Sequence, residues 1–301
     1  MGVSFSAIQA LQYRWFMHFF ETRPDPISVA FIRKFPCESH FGLLSVFGAL
    51  ILSQRLFGFT TKLGKLSERG EETLTSTPGH RLLEFDRIVE ESVDQVEQIV
   101  LPGVGFDLIA LRFTNGKEVR VFELDQVETV AVKIETLEKA GIKHDWITYI
   151  PVDYSTESWV EKLLEAGFDP NRKTLFLWQS VSLFLEAEVV KETLTQMAEL
   201  CAEGSTIAQD FYSSTFASGG ISRTVRRTSR LMARMGEPWR CGIDMSEDPR
   251  AAVEAFSREC GLRVTETYPF GEKRDVESFY CIVESEKDAS SGRGRTTSGH
   301  G

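Results

Sequence analysis

The sequence predicts an α/β fold: a doubly wound, Rossmann-like and mostly parallel sheet, with helices before it and a helical insertion after its fifth strand. Three observations carry that reading. The run Gln98-Ile-Val-Leu-Pro-Gly-Val-Gly-Phe-Asp107 is an apolar strand ending in Gly-x-Gly. A second apolar run, Val119-Arg-Val-Phe-Glu-Leu-Asp125, ends in acids about 20 residues after the glycines, the spacing of a ribose-binding site at a sheet edge. Beyond these, short β-rich runs alternate with helical patterns, as in a sheet wound by crossover helices.

The individual elements follow from pattern and punctuation. Residues 7–20 have apolar positions at helical spacing and stop at Arg23-Pro-Asp-Pro26. The stretch 41–59 is the most apolar in the chain. Its uninterrupted part is too short to span a bilayer, and Gln54 and Arg55 break it, so a buried or lid-forming helix is expected rather than stable membrane insertion. An amphipathic helix over 82–96 leads into the first strand. Strands are expected at 98–101, 119–124, 147–152, 174–178 and 206–211, with helices at 127–140, 158–166 and 187–203 between them. After the insertion at 212–245 come a helix at 249–260 and strands at 263–268 and 278–284. The short link at 271–276 implies a hairpin and therefore one antiparallel strand. The predicted organisation is an N-terminal helical lid or substrate-side region (1–84), a ligand-binding core (85–285) whose insertion caps the acceptor side, and a disordered tail (286–301) with no apolar pattern.

Composition narrows the function classes. With 42% hydrophobic and 26% charged residues the chain reads as an ordinary globule, and a formal charge of −10 argues against a nucleic-acid backbone as partner. Five cysteines at 37, 201, 241, 260 and 281 never form a C-x-x-C, so they read as reduced thiols in a cytoplasmic protein, with no zinc site. No basic-then-apolar leader is visible. Met1-Gly-Val-Ser-Phe-Ser6 fits the loose N-myristoylation pattern.

The glycine loop also discriminates among adenosine ligands. A dinucleotide site wants a third glycine at a helix start, where Leu108 stands, preceded by Asp107. An acid facing the ligand suits an ammonium better than a pyrophosphate. S-adenosylmethionine has an ammonium, a sulfonium and no phosphate, so the residues favour a methyl-donor site.

Several linked motifs resemble the leucine carboxyl methyltransferase-like class I methyltransferases. They are Gly79-His-Arg-Leu-Leu-Glu-Phe-Asp86, the 100–107 loop with Arg112 beyond it, and Val121-Phe-Glu-Leu-Asp-Gln126. Tyr149-Ile-Pro-Val-Asp-Tyr154, Ala166-Gly-Phe-Asp-Pro170 and the run 174–185 follow in order, with a weaker match at Arg23-Pro-Asp-Pro26. The resemblance implies a small-molecule O-methyltransferase using S-adenosyl-L-methionine and a small-molecule acceptor. It implies that Arg81 reaches the donor carboxylate, that Gly103 and Gly105 sit under the methionine moiety, and that Asp107 supports the turn or the ammonium. Asp125, with Glu123 unless that residue turns back into the sheet, would bind the ribose. Asp153 would accept from the adenine amino group beside Tyr154, although capping the following turn is an equal alternative for it.

One position departs from the family pattern: an acid and a small residue usually follow the fourth strand, and here Gln179-Ser180 stands there. Gln179 can accept a hydrogen bond but brings no charge, which leaves open a fold that binds the donor without methylating, as a cyclase, an isomerase or a regulatory subunit. No histidine looks poised as a base; His18, His80 and His144 read as structural or solvent-facing. On the acceptor side Tyr212, Arg223 and Arg227 are candidates. The last two belong to an arginine stripe with Arg226, Arg230 and Arg234 that is either an anion-steering face or a solvated helix surface. Trp15, Phe16, Phe19, Phe20 and Phe41 form either an aromatic lid or core. The acceptor, the atom methylated and the oligomeric state are not legible.

Overall fold

A computed structural model describes residues 4–20, 22–57, 66–274 and 277–289. The chain opens with four helices, α1 (Phe5–Phe19), α2 (Pro26–Ile32), α3 (His40–Phe57) and α4 (Thr77–Ser92). The alternating part then runs β1 (Gln98–Pro102), α5 (Ile109–Phe113), β2 (Arg120–Asp125), α6 (Val127–Ala140), β3 (Ile147–Pro151), α7 (Trp159–Glu165) and β4 (Thr174–Trp178). It continues through α8 (Ala187–Leu200), β5 (Thr206–Tyr212), α9 (Ser214–Ala217), α10 (Arg223–Arg234), α11 (Pro249–Glu259), β6 (Leu262–Pro269) and β7 (Tyr280–Lys287).

The seven strands lie in the order β3-β2-β1-β4-β5-β7-β6. All neighbours are parallel except those of β7, which runs antiparallel to both β5 and β6. The sheet is therefore mostly parallel with one reversed strand, as the short link before β7 requires. Strand order reverses between β1 and β4, so the carboxyl ends of these two strands open the crevice where ligands of such sheets bind.

Period-two alternation divides the strand side chains between two cores. Ile99, Leu101, Val121, Leu175 and Leu177 face the N-terminal helices together with Trp15, Phe31 and Phe85. Val100, Phe122, Leu124, Phe176 and Trp178 face the opposite layer with Leu163, Leu194 and Val253. Both faces are covered, which is why β1 and β4 read as continuous apolar runs.

Several expected boundaries move, each for a local reason. The helix expected at 82–96 starts at Thr77, because Pro78 occupies the first turn, where its missing N–H costs nothing. It consequently crosses the boundary drawn at residue 84, and the N-terminal segment is continuous with the core. The helix expected to reach 203 ends at Leu200, where Cys201 is extended. The last strand runs to Lys287, past the expected start of the tail at 286, and Asp288 donates to the Gly261 carbonyl; residues 290–301 lie outside the described residues. The apolar stretch expected to be buried or to form a lid is α3, and only 17% of it is buried. Of the aromatic group, Trp15 and Phe20 are core, whereas Phe41 is 81% exposed.

Candidate functional site

Gly103 and Gly105 form the turn that leaves β1, with φ of +68° and +57°. Both are in the left-handed region that a Cβ disfavours. The Gly103 N–H donates to the Leu124 carbonyl at 2.7 Å, and the Gly105 N–H to Asp125 Oδ2 at 2.7 Å, so the loop is stitched to the end of β2. Close approach constrains both positions further. A Cβ on Gly103 would lie 2.7 Å from Val181 Cγ2, and one on Gly105 would lie 2.8 Å from the Ala7 Cβ of α1. The loop is thus held between the segment after β4 and the first helix of the chain.

Asp125 is at the tip of β2, its other oxygen accepting from the Gln126 N–H at 2.8 Å. Burial raises its pKa, opposed by the hydrogen bonds from Gly105 and Gln126. Glu123, two residues earlier on the same face, is drawn inward: it is buried and ion-paired with Lys133 at 2.7 Å. Of the two acids considered for a ribose, only Asp125 stands at the crevice, and Glu123 follows the alternative of pointing back into the sheet. Strand alternation does not explain this, since residues 123 and 125 share a face. Lys133 on α6 supplies the partner that keeps Glu123 inside.

Asp107 supports the turn. Its carboxylate pairs with Arg112 at 2.9 Å and Arg14 at 3.3 Å, and its carbonyl accepts from Lys133 Nζ at 2.7 Å. Burial alone would raise its pKa, but Arg14 and Arg112 outweigh burial and hold it well below the usual carboxylate range. Arg14 also grips Asp86 at 2.6 and 2.8 Å, and Arg112 reaches Asp86 at 3.0 Å and Asp25 at 3.1 Å. The 23–26 motif, the Asp86 position and Arg112 are thereby drawn into one buried ionic cluster beneath the loop.

Arg81 is carried by α4 to the carboxyl ends of β4 and β5. Its guanidinium contacts the Tyr212 hydroxyl at 3.4 Å, and its buried Nε has no hydrogen-bond partner among the described residues. Among the described residues no carboxylate lies within ion-pair distance of it. Burial opposes its charge, yet Tyr212, Tyr280 and Asp210 together raise its pKa. Asp210 on β5 is fully buried and accepts from the Ser180 N–H at 2.7 Å, Ser180 Oγ at 3.0 Å and Tyr280 Oη at 2.6 Å. Burial raises its pKa, opposed first by Arg81.

Gln179 follows β4 half-buried, and its side chain makes no hydrogen bond to the described residues. Ser180 beside it has φ of +58°, the only described non-glycine residue with positive φ. Such strain persists only where surroundings over-determine it, and clusters at functional sites. Here Asp210 clamps both Ser180 donors. Asp210 and Tyr280 were not singled out from sequence, and Ser180 entered only as the neighbour of Gln179. An acid inside the otherwise buried strand 206–212 was the available signal, because a buried carboxylate demands partners; nothing in the sequence marks Tyr280.

The remaining candidates are dispersed. Tyr154 is 45% exposed overall, but its hydroxyl approaches the Gly103 amide, and burial followed by the Asp125 charge raises its pKa. Asp153 is exposed and caps the local turn, accepting from the Ser155 N–H at 3.0 Å. Tyr212 belongs to the buried Arg81 cluster, with its ring against Phe216 and Tyr280. Arg223 and Arg227 are exposed on α10, and neither makes an ion pair among the described residues, so the structure does not bring the three acceptor-side candidates together. His18 accepts from the Asp25 N–H at 2.9 Å and His80 contacts Ser67 Oγ at 3.1 Å. Among the described residues no group of His, Cys, Asp or Glu is placed to hold a metal ion, and the five cysteines are free thiols.

A sheet in this order with β7 reversed, a glycine loop after β1 and an acid at the tip of β2 define the class I methyltransferase architecture. The model of the leucine carboxyl methyltransferase family matches residues 45–198, just over half of the chain, and the chain belongs to that family. A Mycobacterium ulcerans protein, provisionally named an S-adenosyl-L-methionine-dependent methyltransferase, is 30% identical over 176 residues, covering 57% of this chain and 55% of the relative. A Frankia alni protein of the same provisional name is 35% identical over 112 residues, 36% of this chain and 38% of the relative. The chain thus spans about half the length of the first of these curated relatives and less of the second. Among solved structures, a DUF574-family protein from Streptomyces avermitilis superposes with a TM-score of 0.51 at 16% identity, covering 71% of this chain and 85% of that one. That likeness concerns the fold.

Proposed function

We propose that the chain transfers a methyl group from S-adenosylmethionine to a carboxylate or hydroxyl oxygen of a small organic acceptor in the cytoplasm. The observation that carries this reading is Arg81: a guanidinium at the carboxyl ends of β4 and β5, with a buried, orphaned Nε and no carboxylate partner in reach among the described residues. Such a cation fits the carboxylate of an amino-acid ligand, a pair the planar Arg fork makes well. Asp125, at the rim of the crevice, fits a ribose diol, and Tyr154 supplies a ring beside it. The donor's sulfonium provides an already activated methyl for in-line displacement. The chain's own contribution is then alignment and exclusion of water, which supply most of the rate in such a transfer. α1 does part of this by packing Ala7 over Gly105. A carboxylate acceptor needs no base, consistent with histidines engaged in structural contacts.

Calorimetry with S-adenosylmethionine and S-adenosylhomocysteine tests the reading. Micromolar binding of both supports it, and acceptor screening with carboxylic acids and phenols follows. Absence of binding up to millimolar concentration overturns it. The neutral Gln179 favours a second reading, donor binding without methylation. Tight donor binding with no methyl transfer across such a screen is the result that would select it.

A further inference from the structure

Outside the donor site, the most conspicuous unassigned surface is α3. At about 100° per residue its side chains divide cleanly around the helix. Leu43, Leu44, Phe47 and Ile51 face inward: Phe47 meets Phe16 edge-on at 4.5 Å, and Gln54 donates to the Phe20 carbonyl at 2.8 Å. The opposite half presents Phe41 (81% exposed), Val46, Leu50, Leu52, Leu56 and Phe57 (79%), with Ser45, Ala49 and Ser53 between them and no ionisable residue. A continuous apolar face of this kind on a folded protein marks an interaction surface.

The charges around the face indicate its partner. From Pro26 to Phe57 the sequence holds three basic residues, Arg33, Lys34 and Arg55, and one acid, Glu38, a net of +2, in a molecule whose remainder is therefore −12. All three cations are exposed. Arg33 precedes the helix and Arg55 lies in its last turn, and both act on His18, so the cations bracket the outer end of the α1–α3 pair. From this we infer that the outer face of α3 docks in the plane of an anionic bilayer surface. An apolar half-cylinder bordered by cations is the pattern of a helix lying in the headgroup region. The helix does not span, because its inner half is already packed on α1. A second copy of the chain fits the same face less well. A single helix face offers well under the roughly 800 Å² per partner of a stable interface.

The test is flotation of the purified full chain with vesicles of phosphatidylcholine alone and with one-third phosphatidylglycerol. Binding to the anionic vesicles, weakened by salt and by omission of phosphatidylglycerol, is expected. The exposed double substitution Val46→Glu with Leu52→Glu should reduce it at least tenfold while leaving the circular dichroism melt unchanged. Arg33→Ala and Lys34→Ala should each reduce it roughly fivefold, the scale of one cation near an anionic surface. Failure to float with anionic vesicles overturns the inference, as does flotation indifferent to the glutamates. Dimerisation seen by light scattering without vesicle binding would overturn it too, and would assign the face to a second copy.

Discussion

Replacing Arg14 with methionine tests whether the ionic cluster beneath the glycine loop holds the N-terminal helices to the core and shapes the donor site. Arg14 is 1% exposed and makes two short hydrogen bonds to Asp86 and a longer one to Asp107. In the wild-type cluster two buried arginines face three buried aspartates. Removing Arg14 leaves Arg112 as the one buried arginine facing the three, with Arg23 4.0 Å from Asp86 as a more exposed second cation, and breaking a buried pair from one side costs about 3–5 kcal/mol. At roughly 2–4 °C per kcal/mol for a domain approaching this size, the melting temperature should fall by about 10 °C. The acid limb provides a second readout. The pKa of Asp107 is depressed in the fold, so its stabilisation is complete above the unfolded carboxylate value of about 4 and is lost as pH falls through the lower folded value. Without Arg14 that folded value rises and acid unfolding should begin at a higher pH. Calorimetric melts from pH 3 to 7 (roughly the range bracketing that value) measure both effects. The double variant Arg14→Met with Asp86→Asn, which restores the charge balance, should lose less than the two single losses combined. A single-variant loss below about 1 kcal/mol, the scale of an exposed pair, would refute the assignment of the cluster as a buried lock.

Three further outcomes address the site itself. Gly103→Ala must hold a Cβ in the left-handed region, at about 1–2 kcal/mol, and push Val181 aside. Donor affinity by calorimetry should fall at least tenfold with the secondary structure intact, and unchanged affinity would remove this loop from the site. Arg81→Met should weaken donor binding by roughly 10- to 100-fold, the value of a charge-assisted pair, while Asp153→Asn, at an exposed turn cap, should have a smaller effect. If Asp153→Asn proves the more damaging, the placement of the donor carboxylate at Arg81 is wrong. Gln179→Glu should tighten donor binding if the ammonium lies at the end of β4; looser binding would show that Gln179 faces something else.

The order of elements was legible because the crossover pattern leaves few options: continuous apolar runs at 98–102 and 174–178 can be buried only in a parallel sheet. Boundaries failed where one residue type serves two purposes. Pro78 reads as a helix breaker but starts α4, and the apolar residues of α3 read as core although half of them face solvent. The same distinction holds at the site. Gly103, Gly105 and Asp125 were legible because a turn and a strand tip are local features. Glu123 could not be resolved from Asp125 in sequence, since what separates them is Lys133, which reaches Glu123 from another element. Asp210 was passed over because its partners Ser180, Tyr280 and Arg81 are distant in the chain and meet only when β4, β5, β7 and α4 assemble.

That assembly bears on how the donor loop keeps its shape. Its sequence fingerprint ends at Asp107, yet its upper side is Ala7 and its buried support is Arg14, about two helical turns further along the same α1. The N-terminal segment is therefore a wall of the loop as well as a cover over the sheet edge. Displacing α1 would free the space above Gly105 and at the same time remove a cation from Asp107, so opening of the site and loss of its electrostatic support are one event. Because Phe16 and Phe20 near the far end of α1 pack against α3, a contact made by the outer face of α3 is connected to the donor loop through a single rigid helix. Coupling through one helix predicts that substitutions at the α1–α3 contact, such as Phe47→Ala, alter donor affinity without touching the site. Calorimetric affinity identical to wild type in a folded Phe47→Ala variant would show that α1 does not transmit the change.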